Sequence, residues 1–165
     1  MDSAGAPLNA MFHTKNMDTE SMRAFLLSLP DVIETVSETT RWGDKLVFRV
    51  GDQAAGGKMF SQIDFEEDGR AVLSFVTDPE RFYELIEREG VIAAPYRARL
   101  YWIALMQWNA IHDSELKNLL RNARALTLAK LPKRTRDSLA GNIEATETAP
   151  QPPHTRKTNS VKPKR

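Results

Sequence analysis

The chain has 165 residues, 41% of them hydrophobic, with no cysteine and a formal net charge of +1 at pH 7. That length accommodates one domain plus terminal segments, and the absence of cysteine excludes disulfides, zinc–thiolate sites, iron–sulfur ligation and thiol nucleophiles. The charge is uneven: residues 1–132 hold 15 Lys and Arg against 19 Asp and Glu, whereas residues 133–165 hold 8 against 3, so the body is mildly acidic and the end basic.

Residues 1–16 lack the basic-then-apolar pattern of a secretory signal and are expected to form a flexible leader. Asp18 is a suitable N-cap, because its carboxylate can accept an orphan backbone N–H. Met22, Phe25, Leu26 and Leu29 then recur at helical spacing, and Pro30 ends the predicted helix. From residue 32 the pattern becomes β-type. Residues 32–40 are rich in Val, Ile and Thr and predict an edge strand; residues 46–50 predict a second, ended by Gly51. Residues 51–57 are expected to be a flexible loop, since Gly and Ala offer little to anchor it. Residues 58–65 predict a third strand, Asp68-Gly69 a hairpin turn, and residues 71–76 a fourth strand, making an antiparallel meander.

Thr77-Asp78-Pro79 opens a second helix with a cap residue and a proline at its first position. Phe82, Leu85 and Ile86 form its stripe and Gly90 follows it. Residues 91–99 are expected to be irregular, and residues 101–106 to form a strand. Ser114 is expected to cap a last helix with Leu116, Leu119, Leu120, Ala123 and Thr127 on one face, ended by Pro132. The fold class is therefore α+β: an antiparallel sheet with helices packed on one face. The expected organisation is a leader over residues 1–16, a domain over 17–136 and a disordered basic tail over 137–165, where burial cannot offset the entropy of ordering.

Several strings occur in a characteristic order: Leu29-Pro30, Arg41-Trp42-Gly43, Lys45-Leu46-Val47-Phe48-Arg49-Val50, Lys58-Met59-Phe60, Asp78-Pro79-Glu80, Pro95-Tyr96, Trp102 and Lys130-Leu131-Pro132-Lys133. Together they resemble the MmcQ/YjbR family over residues 17–136. The resemblance implies a frataxin-like (CyaY-like) α+β fold and a DNA-binding role, the latter inferred for the family from a double-wing-like shape. The sequence departs from the family pattern in placing Tyr101 before Trp102, where His is frequent, and in a longer loop at residues 51–57.

Beside that resemblance, Arg41, Lys45, Arg49, Lys58, Arg97 and Arg99 are the candidate phosphate contacts of the body; if Arg41, Lys45 and Arg49 lie near Lys58 across a hairpin, they make a small cationic stripe. Trp42, Tyr96 and Trp102 lie close to them in sequence and are the candidate stacking or groove residues. Lys117, Arg121 and Arg124 share one face of the last helix and form a second candidate surface. The competing interpretation is a protein-interaction or small-ligand module using a groove near Pro95, Tyr96 and Trp102. Enzyme chemistry is not indicated: His112 stands alone within the domain, and residues 54–58 lack the spacing of a phosphate loop. Asp64, Glu66, Glu67 and Asp68 do not follow the alternating ligand pattern of a calcium loop. The sequence thus indicates a non-enzymatic, cytoplasmic binding protein with no metal and no cofactor. DNA is the partner the resemblance implies; nothing points to a membrane, and no protein partner is indicated.

Overall fold

A computed structural model describes residues 16–37, 45–64 and 71–147. The first apolar stripe forms helix α1 (Thr19–Ser28), capped by Asp18, whose side chain accepts the Ser21 N–H at 2.7 Å. Arg23 forks onto Glu34 at 2.6 and 2.9 Å, tying α1 to strand β1 (Val32–Ser37). Strands β2 (Lys45–Val50), β3 (Lys58–Asp64) and β4 (Leu73–Val76) follow. Helix α2 (Pro79–Leu85) starts from the Asp78 cap with proline in its first turn. Strands β5 (Val91–Ala93) and β6 (Trp102–Leu105) come next, then helices α3 (Asp113–Ala129) and α4 (Lys133–Glu147). The strands form one sheet in the order β1-β2-β3-β4-β6-β5, with every neighbouring pair antiparallel.

Side chains alternate across a sheet, so the register assigns each residue to a face. Leu46 pairs with Ile63, Ile63 with Leu73 and Leu73 with Leu105, while Phe48 leads through Ser61 to Phe75 and Ile103. These buried residues meet Met22 and Leu26 of α1, Phe82 and Leu85 of α2, and Leu116, Leu120 and Ala123 of α3 in one core. Phe48, Phe60 and Phe75 are each fully buried there, and such burial stabilises by roughly 1.5–3 kcal/mol per side chain. The β2–β3 register shifts between Phe48 and Arg49: Phe48 faces Ser61 but Arg49 faces Met59, leaving Phe60 unopposed. This bulge sends both Phe60 and Ser61 into the core and turns Met59 to the opposite face with Arg49.

Several expectations are corrected. Residues 91–93, expected to be irregular, form β5, because Val91 and Ala93 extend the core row beside Leu105 and Ile103. The cap of α3 is His112, whose Nδ1 accepts the Ser114 N–H, so Ser114 lies within the first turn. The loop at residues 51–57 is anchored rather than loose: Asp52 accepts the Ala54 and Gly57 N–H groups, and Thr135 of α4 donates to the Ala55 carbonyl at 2.6 Å. The boundary expected at Arg136 falls inside α4, where Leu139 packs against the core and lies 3.4 Å from where a Cβ on Gly51 would sit. The Asp68-Gly69 turn lies outside the described residues, although β3 and β4 pair as a hairpin requires.

Candidate functional site

The face of the sheet opposite α1, α2 and α3 carries a row running Thr35, Val47, Gln62, Ser74, Ala104 and Ile92 across all six strands. On one side of that row Lys45 lies opposite Asp64, and their charges meet at 2.9 Å. On the other side lie Ile33, Arg49 and Met59, and farther along Val76 and Trp102. Arg97 comes from the β5–β6 loop and extends over this second group. Its guanidinium sits 4.8 Å from the centre of the Trp102 ring and donates to Met59 Sδ at 3.4 Å, so it spans β4 from β6 to β3.

Arg49 and Arg97 are close enough to repel. Burial, and after it the charge of Arg49, push the Arg97 guanidinium below its ordinary value, while Asp64 acts in the opposite sense. Neither arginine forms an ion pair among the described residues. Arg49 Nε is buried and has no hydrogen-bond partner. Guanidinium groups removed even partly from water are normally matched to carboxylates, so two half-buried ones on the same face without ion pairs form a site with anion-binding character. A phosphate offers several acceptor oxygens and negative charge to such a pair.

The remaining sequence-derived candidates divide by geometry. Lys58 opposes Val50 and turns to the helical side, where its ammonium donates to the Lys130 carbonyl at the end of α3, so it does not join Arg49 as expected. Lys45 shares the face of Arg49 but is matched by Asp64. Arg99 is exposed in the short 3-10 turn at residues 98–100, beside Arg97 in the chain. Trp102 is only 5% exposed and supports Arg97, so it offers little surface for stacking, whereas Tyr96 is wholly exposed. Burial of Trp102 limits what it can add to the groove near Pro95 and Tyr96 that the competing interpretation requires. Arg41 and Trp42 lie outside the described residues.

The second surface, on α3, is occupied by structural contacts. Lys117 and Arg121 place their charges over the Phe25 ring at 5.6 and 5.2 Å, and Arg124 binds the Pro30 carbonyl and Asp31. Of the four clustered acidic residues, only Asp64 is described, and it faces Lys45. Sequence reasoning missed Met59 as a partner of Arg97. The parity of residues 45, 47 and 49 reveals that Lys45 and Arg49 share a face, but no local signal marks the bulge that brings Met59 beside them.

No helix among the described residues is long and apolar enough to cross a membrane. A protein-family model described as YjbR matches residues 27–126, a span that includes β1 to β6 and most of α3. No curated protein matches the chain.

Proposed function

The chain belongs to the YjbR family, and from that premise we propose that it is a non-enzymatic binding protein that holds nucleic acid with low sequence specificity on the helix-free face of its sheet. The observation that carries this reading is the pair of Arg49 and Arg97, two guanidinium-bearing side chains bordering Met59 with no ion pair among the described residues and with the Arg49 Nε unpartnered. Phosphate contacts of this kind position a nucleic acid without reading its sequence. The basic face of α3 is engaged with α1 and the turn after it, so it presents no free row of side chains for base edges. The sequence beyond α4 adds Arg156, Lys157, Lys162, Lys164 and Arg165 with no acidic residue, a further source of salt-sensitive attraction. His112, the only histidine among the described residues, is used to cap α3, which supports a binding role over a catalytic one. The cysteine-free composition suits action in the cytoplasm.

The test is fluorescence anisotropy of labelled DNA with the full chain across a salt series. Wild type is compared with Arg49→Met, Arg97→Met and the double variant. Each lost phosphate contact should lower the slope of log affinity against log salt by about 0.7–0.9. A double variant that binds as wild type does at every salt concentration sinks the proposal, because binding would then reside elsewhere, as in the basic C-terminal sequence.

A further inference from the structure

The β5–β6 loop contains a second feature beside the arginine pair, and its meaning rests on the nucleic-acid reading above. Tyr96 is 100% exposed and adopts φ 64°. That left-handed backbone region disfavours a bulky L-residue, and nothing that the ring touches offsets the strain. Tyr101 closes the same segment at φ 59°, but its ring packs edge-on against Phe82 at 5.7 Å and its carbonyl accepts two hydrogen bonds from Thr77.

The loop backbone is nonetheless well ordered by its own bonds. The Ala94 N–H reaches the Trp102 carbonyl at 2.9 Å, the Arg97 N–H reaches Ala94 at 3.1 Å, and the Leu100 N–H reaches Arg97 at 2.9 Å. A firm scaffold thus displays a free aromatic ring. Next to it in the chain, Arg97 turns inward to Arg49, and Arg99 is exposed two residues later. A tyrosine has only two side-chain torsions to fix on binding, and here the backbone that carries it is already ordered.

We infer that Tyr96 is a stacking platform for an unpaired nucleobase, with the neighbouring phosphate held by Arg97 and Arg49, so that the site selects single-stranded over duplex nucleic acid. In a duplex the faces of internal bases are already covered by their neighbours, and a single protruding ring gains nothing from them. In a single strand each base offers a free face, and the phosphate lies one sugar away. The positive φ at Tyr96 fits this assignment, because strained backbone persists where a side chain must be held for a ligand.

The experiment is anisotropy with a labelled twelve-nucleotide oligo-dT and a labelled twelve-base-pair duplex, at matched salt, using the full chain. The proteins are wild type, Tyr96→Ala, Tyr96→Phe and Arg49→Met, each with its thermal midpoint measured as a folding control. The expected result is tighter binding of the single strand, weakened on the order of 10-fold by Tyr96→Ala. Tyr96→Phe should retain that binding, and duplex affinity should not change with either Tyr96 variant. Equal weakening on both probes, or none on the single strand, overturns the inference. If Arg49→Met still weakens binding in that case, the nucleic-acid reading survives; if wild type binds neither probe, both fall.

Discussion

Replacing Arg49 by methionine should make the protein more stable while weakening its hold on polyanions. Methionine keeps most of the aliphatic stem against the sheet and removes the guanidinium. The Nε of Arg49 is buried without a partner, and an unsatisfied buried donor costs roughly 1–3 kcal/mol. The residue is only half-buried, so its terminal nitrogens keep some solvent and the low end applies. Relief of the repulsion felt by Arg97 adds to the gain. A net stabilisation of about 1 kcal/mol follows, which raises the thermal midpoint by about 4 °C in a domain of this size. Arg97→Met should not do the same, because it strips the cation from the Trp102 ring and uncovers a side chain that is now 5% exposed. Urea denaturation of wild type, both single variants and the double variant closes a cycle. Its coupling term should be repulsive, on the order of 0.5–1 kcal/mol, and should shrink as salt screens the pair. If Arg49→Met destabilises by more than about 1 kcal/mol, or if the coupling is attractive, the guanidinium is satisfied in the free protein and the argument for an anion site fails.

Three further outcomes test the frame around that site. Thr135→Val removes the donor to the Ala55 carbonyl from a buried position and should cost about 1–2 kcal/mol in urea denaturation, with faster amide exchange across residues 51–57. Gly57→Ala should cost about 3 kcal/mol or more, because the new Cβ would lie 2.0 Å from the Gly51 carbonyl oxygen, and circular dichroism melts would show a large loss of stability. The Arg88 hydrogen bond holds the Glu115 carboxyl below its ordinary value of 4.5, so its stabilising share is complete above that value and is lost as pH falls through the lower folded value. Glu115→Gln should therefore narrow the difference in unfolding free energy between neutral and acid pH measured by urea denaturation, by no more than about 1 kcal/mol for so exposed a pair; an unchanged difference would show that the pair contributes nothing measurable.

The elements that were legible in the sequence are those whose stability is local. Asp18 before the Met22–Leu26 stripe, and Asp78-Pro79 before Phe82, define helix starts through capping that operates within one turn. The β2 and β3 runs declare themselves by their apolar residues. What escaped notice depends on distant partners. The three residues of β5 are too few to show a period, and only the pairing with β6 makes them a strand. The α4 segment reads as a polar tail because Thr135 and Leu139 are its main visible anchors, and what they meet lies some eighty residues earlier in the chain. A strongly polar helix of 15 residues is marginal alone; here a buried hydroxyl and one leucine seat it against the loop before β3.

The same division explains the site. Counting basic residues treats Lys45, Arg49, Lys58 and Arg97 as equivalent, yet the fold gives them different surroundings. Lys45 meets a carboxylate, and Lys58 is turned away to the end of α3. Arg49 and Arg97 both border Met59, one as its neighbour across β2 and β3 and one from a loop about fifty residues later. A folded chain under selection for stability alone would match or remove Arg49, since a half-buried charge with an unpartnered Nε is a cost, whereas Arg97 at least covers the Trp102 ring. That Asp64 lies on the same face but binds Lys45 sharpens the point: a carboxylate is close at hand, and it is engaged where it leaves both guanidinium groups without an ion pair among the described residues.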